Sequence, residues 1–191
     1  MRAGMELLAT RTVDDLSLRE IARTVGVSAN AVYRHFADKE SLMQALSAEG
    51  LQMLYVAQRA ASDAAGGGVA GFTATGAAYV RFALENPALF RQVFSNPQPR
   101  DAVAAPDGVT AAMAFLRANA AGVAGSDSEV EIIALEAWSL AHGLAMLLLD
   151  ARVAVPETMI SDVFTHWAER LRVRRVSPVK KAVGKRSRAS A

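Results

Sequence analysis

Residues 17–39 read Ser17-Leu18-Arg19-Glu20-Ile21-Ala22-Arg23-Thr24-Val25-Gly26-Val27-Ser28-Ala29-Asn30-Ala31-Val32-Tyr33-Arg34-His35-Phe36-Ala37-Asp38-Lys39, and they spell two short capped helices joined by a tight turn. Ser17 starts the first. Its hydroxyl can accept from an early backbone N–H while Glu20, three residues on, reaches back to complete a capping box. Ile21, Ala22 and Val25 recur at helical spacing as an apolar face, until Gly26 supplies the left-handed conformation that ends a helix at little cost. Val27 then plugs the angle between the helices. Ser28 caps a second helix over 29–36 with Val32 and Phe36 inward, and Asp38 caps a third that begins at Lys39. The outer face of the second helix carries Ala29, Asn30, Tyr33 and Arg34. Small residues first and hydrogen-bonding residues after are what close approach to base edges in a DNA major groove requires.

The rest of the 191-residue chain is 52% hydrophobic, ample for a buried core. It holds no cysteine, which removes disulfides and thiolate metal sites and makes the cytoplasm the expected compartment. No signal-peptide pattern opens the chain. The most apolar run, 134–149, is interrupted by Glu136 and His142 and is short for a membrane span, so it reads as a buried helix. The net charge of +2 hides an asymmetry: residues 172–191 carry eight Lys or Arg and no acid, which leaves −6 on residues 1–171. The tail from Val176 has no apolar period and too little hydrophobic mass to fold alone, so disorder is expected there.

Apolar residues recur at three and four, alanine is abundant and β-branched alternation is missing, which predicts an all-α chain. Helices are expected over 1–9, 18–25, 29–36, 39–65, 69–85, 88–94, 109–121, 128–149 and 156–172. Gly66-Gly67-Gly68, Asn86-Pro87, the prolines at 97, 99 and 106, and Gly122 with Gly125 punctuate them. The organisation predicted is a three-helix helix-turn-helix head over 1–46, a helical-bundle body over 47–172 and a basic tail over 173–191.

The opening stretch resembles the helix-turn-helix of the TetR family of bacterial one-component transcriptional regulators. The Ile21-Ala22 pair, Gly26-Val27-Ser28 at the turn, Tyr33-x-His35-Phe36 and Asp38-Lys39-Glu40-x-Leu42 carry the resemblance. It implies that Arg19, Ala29, Asn30, Tyr33 and Arg34 lie near bases, that Ser17, Tyr33, His35 and Lys39 lie near phosphate, and that Ser28 belongs to the same DNA-facing set. Arginine bridges two acceptors on guanine and asparagine pairs bidentately with adenine, so Arg19, Arg34 and Asn30 are the candidates for base readout. Lys39, in the first turn of a helix, suits phosphate. Plainer readings stand beside these: a solvated Arg34, a packing His35, a charged helix start at Lys39-Glu40.

In the body, Tyr79-x-Arg81-Phe82 with Pro87-x-x-Phe90, and Trp138 four residues before His142-Gly143, resemble the TetR subgroup whose carboxyl domain is marked by Trp, His and Gly. With few polar anchors among many alanines, leucines and phenylalanines, an apolar effector cavity is expected near Phe82, Phe90, Phe94, Met113, Trp138 and His142, with His142 offering one hydrogen bond. Trp138 and His142 also read as ordinary core residues. The resemblance implies a homodimer through the last two helices, and Ile132, Leu135, Leu144, Leu148, Val163, Phe164, Trp167 and Leu171 supply two apolar stripes for it. It implies an inverted-repeat operator and, for most members, repression released by a small molecule. The family's first helix usually begins earlier, behind a basic arm, whereas Met1 already lies inside the pattern, which leaves a misplaced or truncated start as an open reading. Residues 1–46 balance six basic against six acidic side chains, so the basic tail is a candidate source of nonspecific phosphate contacts, a merely solubilising tail being the other reading.

No Gly-x-Ser-x-Gly elbow, P-loop or His-Glu-x-x-His is present, and the three histidines stand far apart at 35, 142 and 166. Neither catalysis nor a metal or cofactor is expected. A helical adaptor without sequence-specific DNA binding is the alternative from another class.

Overall fold

The computed structural model describes residues 4–5, 16–95 and 109–176. Among these the chain forms eight helices and no strand: α1 Leu18–Val25, α2 Ala29–Tyr33, α3 Lys39–Ala64, α4 Gly68–Glu85, α5 Pro87–Ser95, α6 Val109–Val123, α7 Asp127–Leu149 and α8 Glu157–Val176. The expected all-α class is the observed one. Of the helix expected over 1–9, only Gly4 and Met5 are described, and both are helical. The proline-rich segment 96–108 and the tail beyond Val176 lie outside the described residues.

The caps read from the sequence set the head. Ser17 Oγ accepts from Glu20 N–H at 3.1 Å, and Ser28 Oγ from Ala31 N–H at 3.3 Å. Gly26 ends α1 in the left-handed region at φ 73°, which only glycine occupies without a Cβ penalty. At α3 the box is reciprocal: Asp38 accepts from Ser41 N–H at 2.7 Å while Ser41 Oγ accepts from Asp38 N–H. Those Ser41 hydrogen bonds hold the Asp38 carboxyl below its usual range. Helix α2 stops at Tyr33, short of the expected Phe36. The N–H groups of His35 and Phe36 both turn back to the Val32 carbonyl, at 2.9 and 3.0 Å, so the chain swings round while Phe36 packs inward.

Val25 and Val27 depart from expectation. They are 53% and 45% exposed, so neither seals the α1–α2 angle. Leu18, Ile21 and Ala22 fill the buried side of α1, and Val25, in its last turn, lies beyond what they pack against.

Helix α4 is the hub, touching α3, α5, α6, α7 and α8. Gly71 admits α3 closely, since a Cβ there would meet Ser62 Oγ at 2.6 Å. One hydrophobic cluster runs from Leu18, Ile21 and Val32 in the head through Leu42 and Leu46 on α3 to Val80, Phe90 and Phe164 in the body. A second joins Phe72, Ala120, Ile133 and Ala137, with Trp167 and Leu171 against it. Ion pairs tie the periphery: Arg91 to Asp150, Arg117 to Glu131, and Arg81 to Glu157 with a further bond to Ser161.

Two expectations about the last helices change. α7 was expected to be buried; it is long and apolar enough to cross a membrane, with mean hydropathy 1.8, yet only 28% of that window is buried. It packs one face on α4 and α6 and turns Ile132, Leu135 and Leu147 outward. The α8 stripe faces the other way: Phe164 is 2% exposed, and Trp167 packs edge-on against Phe72. Those residues complete the chain's own core, and the outward positions of α8, such as Thr158, Asp162, Thr165 and Glu169, are polar. α8 also runs to Val176, so residues 173–176 belong to the helix and not to the tail.

Candidate nucleic-acid interface and body cavity

Ser28, Asn30, Ala31, Tyr33 and Arg34 share one shallow, open concavity on the outer side of α2. Four of these were expected at a DNA-facing surface; Ala31 was not, because a lone alanine carries no mark of its own in the sequence. The surface exists because Val32 alone anchors α2 in the core while Asn30, Tyr33 and Arg34 point to solvent. Arg19 is exposed on α1, Ala29 is half-buried at the start of α2, and His35 is exposed just after it. Lys39, half-buried, opens α3 beside the Asp38 cap. Each hydroxyl of Ser17 and Ser28 already accepts a backbone N–H, which leaves its own O–H free in direction to donate to a phosphate oxygen.

The body holds a cavity of about 90 Å³ between α3, α4, α5, α6, α7 and α8. Phe94, Met113 and Trp138 line it, as expected. Phe82, Phe90 and His142 do not; they form the layer behind its wall. Phe82 and Phe90 are fully in the core. His142 stacks on Phe90 at 5.6 Å between ring centroids, meets Phe94 edge-on at 5.2 Å, and places Nδ1 2.9 Å from the Tyr79 hydroxyl. Burial lowers the His142 pKa below its ordinary value, which favours the neutral ring. The same burial pushes the Tyr79 phenol well up, with the Trp138 side chain pulling the other way, so Tyr79 keeps its proton and can donate it in the bond to Nδ1.

Sequence reasoning missed Tyr79, Gln58, Thr75 and Trp167 as wall residues. Tyr79 sits three residues before Phe82 on one face of α4, a spacing that could have drawn it in. Trp167 was read as part of an outward stripe. Gly76 carries a clearer mark, a glycine in mid-helix: a Cβ there would collide with the Phe164 ring, so glycine lets that ring form the wall.

The geometry agrees with comparison to other proteins. Residues 1–46 match the family model of bacterial regulatory proteins, tetR family, and residues 72–171 match that of the tetracyclin repressor-like C-terminal domain. A solved protein of unknown function from Rhodococcus sp. RHA1 is 32% identical over 89% of each chain, with a TM-score of 0.70. A protein described as regulatory, SCO4313, is 23% identical over 87% of this chain and 89% of its own, with a TM-score of 0.66; at that identity it speaks for the fold alone. With a helix-turn-helix head and a helical body each matched in its place, the chain belongs to the TetR family of bacterial transcriptional regulators.

Proposed function

We propose that the protein is a cytoplasmic repressor that binds an inverted-repeat operator as a homodimer and leaves it when a small apolar molecule enters the body cavity. The observation that carries this is the outward face of α2, where Ser28, Asn30, Tyr33 and Arg34 stand together with a single residue of the helix held in the core. A helix built only to pack would turn more of itself inward. Arg34, Asn30 and Arg19 read base edges, while Ser17, Tyr33, His35 and Lys39 hold phosphates.

A second copy covers α7. Ile132 and Leu135 are 58% and 62% exposed, Leu147 follows on the same side, and Ser139 and Gly143 keep the centre of that stripe small enough for a helix to approach. At Gly143 even an added Cβ would meet nothing within 4 Å. Two heads joined this way face successive major grooves, half-sites being about 34–36 Å apart.

Coupling runs through α5. Phe94 on α5 lines the cavity, and the same helix presses Leu89 and Val93 against Gly50 of α3, where a Cβ would lie 2.9 Å from either side chain. Gln92 adds a hydrogen bond to Ser47. A molecule that displaces Phe94 therefore moves α5 against α3, the 26-residue helix whose first turn carries Lys39 beside the head. It weakens DNA binding by the ratio of its affinities for the two arrangements.

Selection from a random duplex library at about 0.15 M salt, where nonspecific contacts are weakened, tests the reading. An enriched inverted repeat supports a dimeric operator-binding protein. No enrichment favours the helical adaptor, in which the head only packs.

A further inference from the structure

We infer that the body cavity selects an uncharged, apolar molecule about one aromatic ring in size, recognised by shape and ring contacts and without an obligatory hydrogen bond. This rests on the reading of the cavity as the effector site and narrows it to a ligand class.

Charge is decided by the wall. None of the described residues lining the cavity is charged. An ionic ligand would give up its water and meet no counter-charge, a loss that an apolar enclosure does not repay. Hydrogen bonding is decided by the partners the wall already has. Gln58 Nε2 donates to the Thr75 carbonyl at 3.2 Å, Thr75 Oγ1 to the Phe72 carbonyl at 2.7 Å, and the Tyr79 hydroxyl is paired with His142 at 2.9 Å. Among the described residues no buried side-chain nitrogen or oxygen lacks a partner. No wall group therefore needs a polar partner from the ligand, so binding does not require a hydrogen bond.

What remains is apolar and largely aromatic: Phe72, Phe94, Trp138, Phe164 and Trp167 face the space. Flat rings meet such walls edge-on or offset, with attraction beyond area burial alone. Size follows from volume. An apolar cavity of about 150 Å³ accepts benzene, and this one holds about 90 Å³. Movement of Met113, an unbranched and half-buried side chain, together with that of Phe94, supplies the difference for one ring. Two or three fused rings would have to displace the core behind Phe94.

Both tryptophans of the chain, Trp138 and Trp167, line the cavity, so intrinsic fluorescence of the full-length protein reports its occupancy. The probes are toluene, its charged counterparts benzoate and benzylamine, and anthracene as the oversized ring system. Toluene is expected to give a saturable change, with affinity roughly tenfold or more above benzoate and benzylamine. Ala112→Leu and Met113→Phe, each adding bulk at a half-buried wall position, should abolish the toluene response while circular dichroism shows the helices intact. Equal or tighter binding of benzoate or benzylamine overturns the uncharged class, and tighter binding of anthracene overturns the size. An undiminished toluene response in whichever of the two variants folds places the site elsewhere, and no saturable response to toluene removes the inference outright. The regulator reading is tested apart from this: a protein that binds a selected duplex and ignores toluene keeps the operator and loses the ligand class, while one that binds toluene and no duplex does the reverse.

Discussion

Helix α2 holds only Val32 in the core and gives Asn30 and Tyr33 to solvent, whereas the aromatic residues around the body cavity serve the wall and the core at once. Tyr79 lines the cavity, contacts Phe90 and Phe94, and bonds His142. The difference teaches how separable function is from folding in each region. On α2 an exposed side chain has little part in the packing, so its loss should spare the fold. Around the cavity the buried rings of Phe72, Tyr79 and Phe164 cannot be removed without loosening the bundle.

That contrast is easiest to break at its extremes. Phe90→Ala, emptying a fully buried site behind the cavity, should cost about 3–5 kcal/mol of stability in chemical denaturation. A loss under about 1 kcal/mol would mean the layer behind the wall is not structural. Arg34→Ala should leave stability within about 0.5 kcal/mol while removing about 1–3 kcal/mol of discrimination at the base pair it reads, measured by competition among operator variants. If Arg34→Ala instead lowers the melting temperature as Phe90→Ala does, the two regions do not differ as argued.

Ser17→Ala sharpens the picture within the head, since it deletes the α1 cap without touching α2. A stability loss of about 1 kcal/mol is expected, and a neutral result would show that water replaces the Glu20 N–H partner. The smallest effect concerns pH. Burial keeps the folded His142 pKa below its unfolded value of about 6.5, so the unfolded chain binds the proton first as pH falls. The stabilisation is complete above the unfolded value and is lost as pH drops toward the folded one. The melting temperature should fall between about pH 7.5 and 5.5, and His142→Gln should flatten that slope; an unchanged slope would assign it to other groups.

The head was legible in the sequence because its determinants are local. Ser17, Gly26, Ser28 and Asp38 each act on backbone within three or four residues, and all four cap where expected. The end of α2 was not legible: the turn after Tyr33 depends on Phe36 reaching a core that residues elsewhere build. Val25 and Val27 misled for a related reason, because helical spacing identifies a face without saying how far its partner extends. In the body, helix positions followed from glycine, proline and periodicity, yet the roles of aromatic residues did not. Phe90 and Phe94 share α5 one turn apart while His142 comes from α7, and only packing decides that Phe94 is wall and the other two are backing. Trp167 shows the same limit, an apolar position on α8 whose inward direction is fixed by Phe72 of α4.

The most direct test of α2 as the reading element is duplex selection run in parallel on the wild-type protein, Arg34→Ala and Lys39→Ala. The account predicts that Arg34→Ala loses information at symmetric positions of the enriched repeat. Lys39→Ala should keep the motif but bind every duplex more weakly, with a shallower salt dependence. Identical sequence profiles for the two variants would contradict it.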